Sequence, residues 1–471
     1  MKIEQLYTSC LAQGAYYISS DGEAAIIDPL RESQQYVDKA EDDKVKIKYV
    51  FETHFHADFV SGHVDLARKT NSTIVFGPSA KTDYSCHIAK DQEEFIIGKI
   101  RIRAIHTPGH TPESTTYLLI DENGNNHAIF TGDTLFIGDV GRPDLAVTNN
   151  ITKDELARTL YDSLRNKIMT LEDNVLIYPA HGAGSACGKN MSDETFSTLG
   201  EQKKINYALR DDMTKAEFVK ELLEGMPPPP SYFKQNALLN KNGYNNFDDV
   251  LAKSNKALAV DEFKDHMISK NSLVIDVRNQ NEFIKKHIPN SLFVGLNGSF
   301  APWVGTIIKD IHQPIILIVE KGKEEEAITR LARIGCDNCF GYLDGEISAW
   351  EKSGNPTSDL EFISANNFVE MLKLNTINIL DVRKESEFET QHIEGSTNSP
   401  LSQVHENLNL IINTNEKLYV HCGSGYRSVI AMSILKANGF HNLIDIAGGF
   451  NAIKKTDLNE NCYRSGLTIS N

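Results

Sequence analysis

A chain of 471 residues, 40% hydrophobic and 24% charged, has the composition of a globular protein and the length for about two to four domains. A formal net charge of -16 at pH 7, with no Lys/Arg cluster to reverse it locally, excludes nonspecific nucleic-acid binding as a role. No apolar run reaches the ~18 residues that cross a bilayer, the start Met1-Lys2-Ile3-Glu4-Gln5 lacks the basic-then-apolar order of a secretory signal, and seven scattered cysteines make no disulfide framework, so the expectation is a cytoplasmic protein with reduced thiols and no membrane partner.

Strands and turns alternate from the start: Ala15-Tyr16-Tyr17-Ile18, then Ala24-Ala25-Ile26-Ile27-Asp28-Pro29. Asp28 ends a strand before a proline, which suits a turn-forming Asx as well as a group that orients a ligand from behind. The strand-like Ile47-Lys48-Tyr49-Val50-Phe51 feeds Thr53-His54-Phe55-His56-Ala57-Asp58-Phe59. Its two histidines and its aspartate, each two apart, point from one short loop into one space. Imidazole with carboxylate suits Zn, Fe or Mn. Alone this is a weak pattern, since loop histidines are more often solvated or core-satisfied. It has companions: His110 in Thr107-Pro108-Gly109-His110, Asp133 in Thr131-Gly132-Asp133-Thr134, and His181 in Tyr178-Pro179-Ala180-His181-Gly182. Each follows a short apolar run at a Gly turn, where a strand hands over to a loop, and together they mark a metal site. Between them, His63 to Thr70 reads as a helix, Ser72 to Phe76 as a strand, and the alternating Ile100-Arg101-Ile102-Arg103-Ala104-Ile105 as a strand leading into a structural His106.

These positions resemble the metal signature of the metallo-β-lactamase fold, a sandwich of two sheets with helices outside and metals at one edge. Hydrolases of that superfamily, such as hydroxyacylglutathione hydrolase, carry a histidine directly after the aspartate, where it helps hold a second metal with the equivalents of Asp58 and His181. Phe59 stands there instead, which argues for a weak or absent second site. In the persulfide dioxygenase branch, iron is held by the equivalents of His54, His110 and Asp133. That resemblance implies one Fe(II) per chain, with Zn(II) as the alternative, and leaves His56, Asp58 and His181 to orient ligands or serve as alternative ligands.

Beyond Asp133, the Gly-rich Gly138-Asp139-Val140-Gly141-Arg142-Pro143-Asp144 places one arginine beside the metal edge. Arg142 could fork onto a carboxylate of a thiol carrier; pairing with Asp144 is nearly as well supported. Cys187 lies six residues after His181, near enough to touch substrate, although a cysteine there also reads as a small buried hydrophobe. Thr152 to Thr170 and Gly200 to Gly225 read as helical, and Val175 to Tyr178 as a strand. Met226-Pro227-Pro228-Pro229-Pro230 forces an extended segment, which reads as a strap and linker closing the first domain near residue 245.

The remainder repeats itself. Leu273-Val274-Ile275-Asp276-Val277-Arg278, Glu282-Phe283, His287-Ile288 and Ser291 recur at identical spacing as Ile379-Leu380-Asp381-Val382-Arg383, Glu387-Phe388, His392-Ile393 and Ser396. Each copy ends in a Gly-containing motif, Leu343-Asp344-Gly345 and Ile446-Ala447-Gly448. Two copies of one α/β domain are implied, 250–356 and 357–471. They resemble rhodanese sulfurtransferases. The second carries Cys422-Gly423-Ser424-Gly425-Tyr426-Arg427-Ser428 between a buried strand and a helix. Backbone N–H groups, the helix start and Arg427 there favour a thiolate and a bound persulfide, with Gly423, Ser424, Gly425 and Tyr426 lining the cradle. A cysteine phosphatase would need one more residue between Cys and Arg. The first copy, at Val319-Glu320-Lys321-Gly322-Lys323-Glu324-Glu325-Glu326, has no cysteine or loop arginine and reads as catalytically inactive. Cys336 and Cys339 fall opposite Phe440 and Leu443 on the repeat and read as packing residues.

The expected fold class is thus α/β multidomain: a metallo-β-lactamase αββα sandwich followed by two rhodanese-like α/β domains. The resemblance to persulfide dioxygenase–rhodanese fusions implies oxidation of a low-molecular-weight persulfide such as glutathione persulfide by O₂ to sulfite and thiol, with Cys422 passing sulfane sulfur to sulfite, as thiosulfate, or to a thiol. It also implies a homo-oligomer. Tethering the two activities raises the effective concentration of one for the other.

Overall fold

Alternating and fully apolar runs in the first half pair into two sheets. The computed structural model describes residues 1–147, 151–374, 377–409, 411, 416–457 and 463–464. One six-stranded sheet runs in sequence order from Lys2–Thr8 through Gln13–Ser20, Glu23–Ile27, Lys46–Phe51 and Thr73–Phe76 to His87–Ile88. The other orders Ser197–Thr198, Leu176–Pro179, Asn126–Gly132, Thr115–Ile120, Ile100–His106 and Glu94–Ile97. Alternate residues of the two face each other in one core, where Tyr16, Ile27, Phe51 and Val75 meet Ile102, Tyr117, Leu119 and Phe130. The opposite faces are covered by helices: Tyr36, Ala40 and Leu66 on the first sheet, and Ala157, Leu160, Phe218 and Leu222 on the second. This is an αββα sandwich, as the sequence leads one to expect.

The helix expected over His63 to Thr70 spans those residues. The one expected from Thr152 starts on a capping box of Thr152 with Glu155 and continues as a wider turn, Leu164–Ile168. The segment expected to be helical from Gly200 to Gly225 is instead two helices, Leu199–Ile205 and Lys215–Leu223, about a short turn at Tyr207–Leu209. Asn206 breaks it, because its side chain accepts from Ala208 N and donates to the Phe136 and Asp139 carbonyls. After the prolines comes a helix, Phe233–Asn242.

Each repeat folds into a five-stranded parallel sheet of the same topology. The orders are Ala257–Leu258, Cys339–Leu343, Ile315–Ile318, Leu273–Asp276, Leu292–Phe293, and Glu361–Ser364, Leu443–Ala447, Leu418–His421, Asn378–Asp381, Thr397–Asn398. Helices cover both faces, as parallel sheets require. Cys336 and Cys339 are buried. The chain divides into two compact units, Met1–Val250 with Thr329–Asp337, and Leu251–Ile328 with Asn338–Asn471. No helix among the described residues is long and apolar enough to cross a membrane.

Candidate metal centre and cysteine loop

Four strands of the sandwich end along one edge, and each delivers its residue there: Lys46–Phe51 leads to His54, His56 and Asp58, Ile100–His106 to His110, Asn126–Gly132 to Asp133, and Leu176–Pro179 to His181. All six are buried. The donor atoms of His54, His110 and Asp133 lie within 4.8 Å of one another, with His54 Nε2 and His110 Nε2 at 3.8 and 3.4 Å from Asp133 Oδ2.

What aims the rings is the hydrogen bonding behind them. Asp28 accepts from Thr53 N and from Thr53 Oγ1, at 2.8 and 2.9 Å. The threonine hydroxyl has a single proton, so its lone pairs accept from His54 Nδ1 at 2.9 Å. His110 Nδ1 donates to the Arg142 carbonyl at 2.7 Å, and His181 Nδ1 to the Ala12 carbonyl at 3.3 Å. Each Nε2 is thereby left with its lone pair facing the centre. Burial, with His56, His110 and His181 around it, holds His54 well below the usual histidine range, in the neutral form that binds metal. Asp28 therefore acts from behind the site rather than as a simple turn residue.

His56 faces differently. Its Nε2 lies 3.1 Å from Asp28 Oδ1 and 3.7 Å from Glu52 Oε2. Burial lowers its pKa, but Asp28 and then Glu52 outweigh this and raise it to about 9. His56, Asp58 and His181 form a second grouping within 4.8 Å, as do Asp133, His181 and Cys187. Phe59 offers no donor to either grouping, and its ring packs 4.5 Å from His56. Burial, with Asp58 and Asp133 nearby, pushes the Cys187 thiol well up.

The donor set fits a metal ion on a direct observation. Asp133 Oδ1 and Oδ2, Asp58 Oδ1 and His181 Nε2 are buried without a hydrogen-bond partner among the described residues. Uncompensated carboxylate oxygens in such surroundings cost several kcal/mol, on the order given for buried ions, and a cation removes that cost. Close backbone approach frames the centre. A Cβ on Gly141 would lie 2.0 Å from the Asp133 carbonyl oxygen and 2.9 Å from His110 Nδ1.

Of the two arrangements that the sequence leaves open for Arg142, one is formed. Arg142 does not present an open fork: Nε and Nη2 donate to Asp144, Nη2 also to the Pro227 carbonyl and Nη1 to that of Ala186. The paired arrangement is the one formed, and it ties the proline strap to the metal edge. Sequence reasoning also missed Asn240. From the helix after the strap, its amide donates to the His56 and Phe59 carbonyls and accepts from Ser61 N, at 2.7, 2.8 and 2.8 Å. Only its place in an Asn-rich run hinted at this. Tyr232, also buried, lies near enough to Asp58 and Cys187 for both, after burial, to raise its phenol's pKa.

In the second repeat, Cys422 follows the strand Leu418–His421 and is 1% exposed. Its Sγ lies 3.1 Å from Gly425 N, the residue that opens the helix Tyr426–Ala437. Gly425 has φ +106, a left-handed backbone that makes the loop tight enough to bring this N–H to the sulfur. Two side chains of this loop have partners of their own. Arg427 forks onto Glu387 at 2.6 and 2.9 Å, so the pairing rather than the sulfur orients it. The Tyr426 hydroxyl donates to the Gly295 carbonyl of the first repeat. In that first repeat the loop N–H groups meet its own carboxylates: Gly322 N that of Glu324, and Lys321 N that of Glu346. These carboxylates take N–H groups that would otherwise face an anion.

Comparison with known proteins finds two families along the chain. Residues 10–181 match the Metallo-beta-lactamase superfamily and residues 259–353 and 364–456 the Rhodanese-like domain. The mitochondrial persulfide dioxygenase ETHE1 of Bos taurus is 32% identical over 213 residues, covering 44% of this chain and 74% of that protein. A cytoplasmic hydroxyacylglutathione hydrolase of Arabidopsis thaliana is 31% identical over 186 residues, covering 38% and 67%. The crystal structure of a metallo-beta-lactamase from Staphylococcus aureus subsp. aureus COL superposes with a TM-score of 0.64 at 30% identity, over 73% of this chain and 98% of that one. The chain is therefore an enzyme belonging to the metallo-β-lactamase superfamily, its metal-binding fold followed by two tandem rhodanese-like domains.

Proposed function

We propose that the first domain, residues 1–245, is a persulfide dioxygenase dependent on one Fe(II), and that 250–356 and 357–471 are an inactive and an active rhodanese domain. The observation that carries this reading is the single face formed by His54, His110 and Asp133, each imidazole tied at Nδ1, while Phe59 leaves the neighbouring group without its expected imidazole. Two imidazoles and one carboxylate are the facial triad of non-haem Fe(II) oxygenases. His54, His110 and Asp133 would hold the iron, which would supply the redox chemistry that lets O₂ oxidise a sulfur anion. The relative named as a persulfide dioxygenase supports the substrate class.

The balance is RSSH + O₂ + H₂O → RSH + SO₃²⁻ + 2H⁺, with the terminal sulfur oxidised and O₂ reduced. The protein's own groups bind and enclose. Tyr232 and the strap bound by Arg142 cover the edge, and the buried ring of Phe59 keeps it apolar. Glutathione persulfide, or the persulfide of another small thiol, is the proposed substrate. Cys422 carries sulfane sulfur, and attack by sulfite on its persulfide releases thiosulfate and restores the thiolate: E–S–S⁻ + SO₃²⁻ → E–S⁻ + S₂O₃²⁻. Gly425 N, 3.1 Å from Sγ, is placed to stabilise the anionic sulfur.

A second reading, a dinuclear-zinc thiolesterase of the hydroxyacylglutathione hydrolase type fused to a sulfurtransferase, draws on the His56, Asp58, His181 grouping and on the hydrolases among the relatives. An oxygen electrode separates the two. Glutathione persulfide should drive O₂ uptake with matching sulfite, and a glutathione thiolester should go uncleaved. Thiolester cleavage without O₂ uptake would overturn the dioxygenase.

A further inference from the structure

A buried carboxylate stands behind the cysteine loop. Asp445 lies mid-strand in Leu443–Ala447, 2% exposed, and its Oδ1 accepts from Ser428 Oγ at 2.7 Å. Ser428 belongs to the first turn of the helix Tyr426–Ala437, and its Oγ is 3.8 Å from Cys422 Sγ. A chain of polar atoms thus runs through the core from sulfur to hydroxyl to carboxylate.

The repeat provides an internal control. Asp276 pairs with Ile318 and Asp381 with His421, so Val319 stands where Cys422 does. Leu317 pairs with Tyr342 and Val420 with Asp445, so Tyr342 stands where Asp445 does. The copy without the cysteine lacks the acid too. The shared fold does not need a carboxylate there, and burying one is costly.

We propose that Asp445 is a positioning residue for Cys422: through the one hydroxyl proton of Ser428 it decides whether that hydroxyl accepts a hydrogen bond from the thiol or donates one to the thiolate. With Asp445 ionised, a charged acceptor at 2.7 Å takes the proton in preference to the Gly425 carbonyl at 3.0 Å. Ser428 can then only accept from the Cys422 S–H. With Asp445 protonated, the carboxyl donates to Oγ, and the hydroxyl turns to the thiolate, a charged acceptor, in preference to the neutral Gly425 carbonyl. Loss of the thiol proton and gain of one by Asp445 are coupled, and only protons move. Burial, opposed by the Ser428 hydrogen bond, raises Asp445 to about 6.

Other charges around the loop are accounted for. Arg427 is paired with Glu387, and Arg383 with Asp381. His421, buried beside Cys422, lies 3.8 Å from Asp381. On the flanking strands Asp445 pairs with Val420 and Phe362, neither of them charged.

This builds on the sulfurtransferase reading of Cys422, but its test needs no sulfur transfer. The test is the rate at which iodoacetamide alkylates Cys422 in the full chain, followed by mass spectrometry of its peptide from about pH 5 to about pH 9. The wild-type rate should show a shoulder near pH 6, where the thiolate loses its serine donor as Asp445 ionises. Asp445→Asn, whose amide donates to Oγ at every pH, should lose the shoulder and react about tenfold faster at neutral pH. Ser428→Ala should lose the shoulder and react more slowly than Asp445→Asn, and Ser428→Thr should restore it. A wild-type profile in Asp445→Asn would overturn the proposal, and so would a shoulder that survives in Ser428→Ala, since the carboxylate would then act through space. Should Asp445→Asn fail to fold by circular dichroism, the two serine variants decide alone. An enzyme that passes this test yet forms no thiosulfate would refute the sulfurtransferase reading and leave this one standing.

Discussion

At the scale of single residues, the metal edge depends on groups that are not ligands. Asp28 adopts φ +51, a left-handed conformation that Asp tolerates better than most residues, and thereby reaches both Thr53 N and Oγ1. Asp28→Asn should flip the Thr53 hydroxyl and free the His54 ring. A partner of this kind is worth about 10- to 100-fold in metal affinity, which competition with a chelator would measure; unchanged affinity would show that His54 is held otherwise. Asn240→Ala would strand two carbonyls and one N–H of the metal loop in a buried place. At about 1–3 kcal/mol for each orphaned group, the first unit should lose at least about 2 kcal/mol in a denaturant titration. The candidate ligands were legible in the sequence, His54, His56 and Asp58 by their spacing after a strand, and His110, Asp133 and His181 because each follows a strand beside a glycine. Asn240 was not, because its partners lie some 180 positions away, and neither local pattern nor motif spacing reports such pairing. Arg142 was seen but could be read two ways, and only the positions of Asp144, Pro227 and Ala186 decide between them.

At the scale of elements, the repeat was legible as recurring spacing, and the packing recurs with it. Glu-Phe followed by His-Ile recurs, and in both copies the histidine stacks on the phenylalanine, with centroids 4.1 Å apart for Phe283–His287 and 3.8 Å for Phe388–His392. His287 Nδ1 donates to the Phe283 carbonyl. Burial is the main cause that lowers its pKa to about 4. The folded unit thus holds a neutral ring, while the unfolded chain takes the proton first as pH falls. Stability is fully present above the ordinary pKa of about 6.5 and is lost as pH drops toward 4, by up to about 3 kcal/mol. His287→Gln should flatten that fall when urea midpoints at about pH 7 and about pH 4.5 are compared with wild type; an equal fall in both would remove His287 as its source. Asp445 acts with the opposite sign, its raised pKa favouring the fold as pH drops below about 6, and the comparison of variant with wild type cancels it. What was illegible at this scale was the break at Asn206. Composition from Gly200 to Gly225 favours helix throughout, and tertiary hydrogen bonds to Phe136 and Asp139 override it.

At the scale of the whole molecule, the proposed function joins two chemistries of one unstable group on one chain, and they should separate by substitution. Cys422→Ser should abolish thiosulfate formation from glutathione persulfide and sulfite and leave O₂ uptake largely intact. A parallel loss of O₂ uptake would mean that sulfur must pass through Cys422 before oxidation. The proposed division of labour rests on the cysteine that the second copy has where the first has Val319, and on His54, His110 and Asp133, which precede both. The most direct test is metal analysis of the anaerobically purified, active protein. One iron per chain, lost together with O₂ uptake in His110→Ala, is the predicted result; two zinc ions per chain in material of full activity would contradict it.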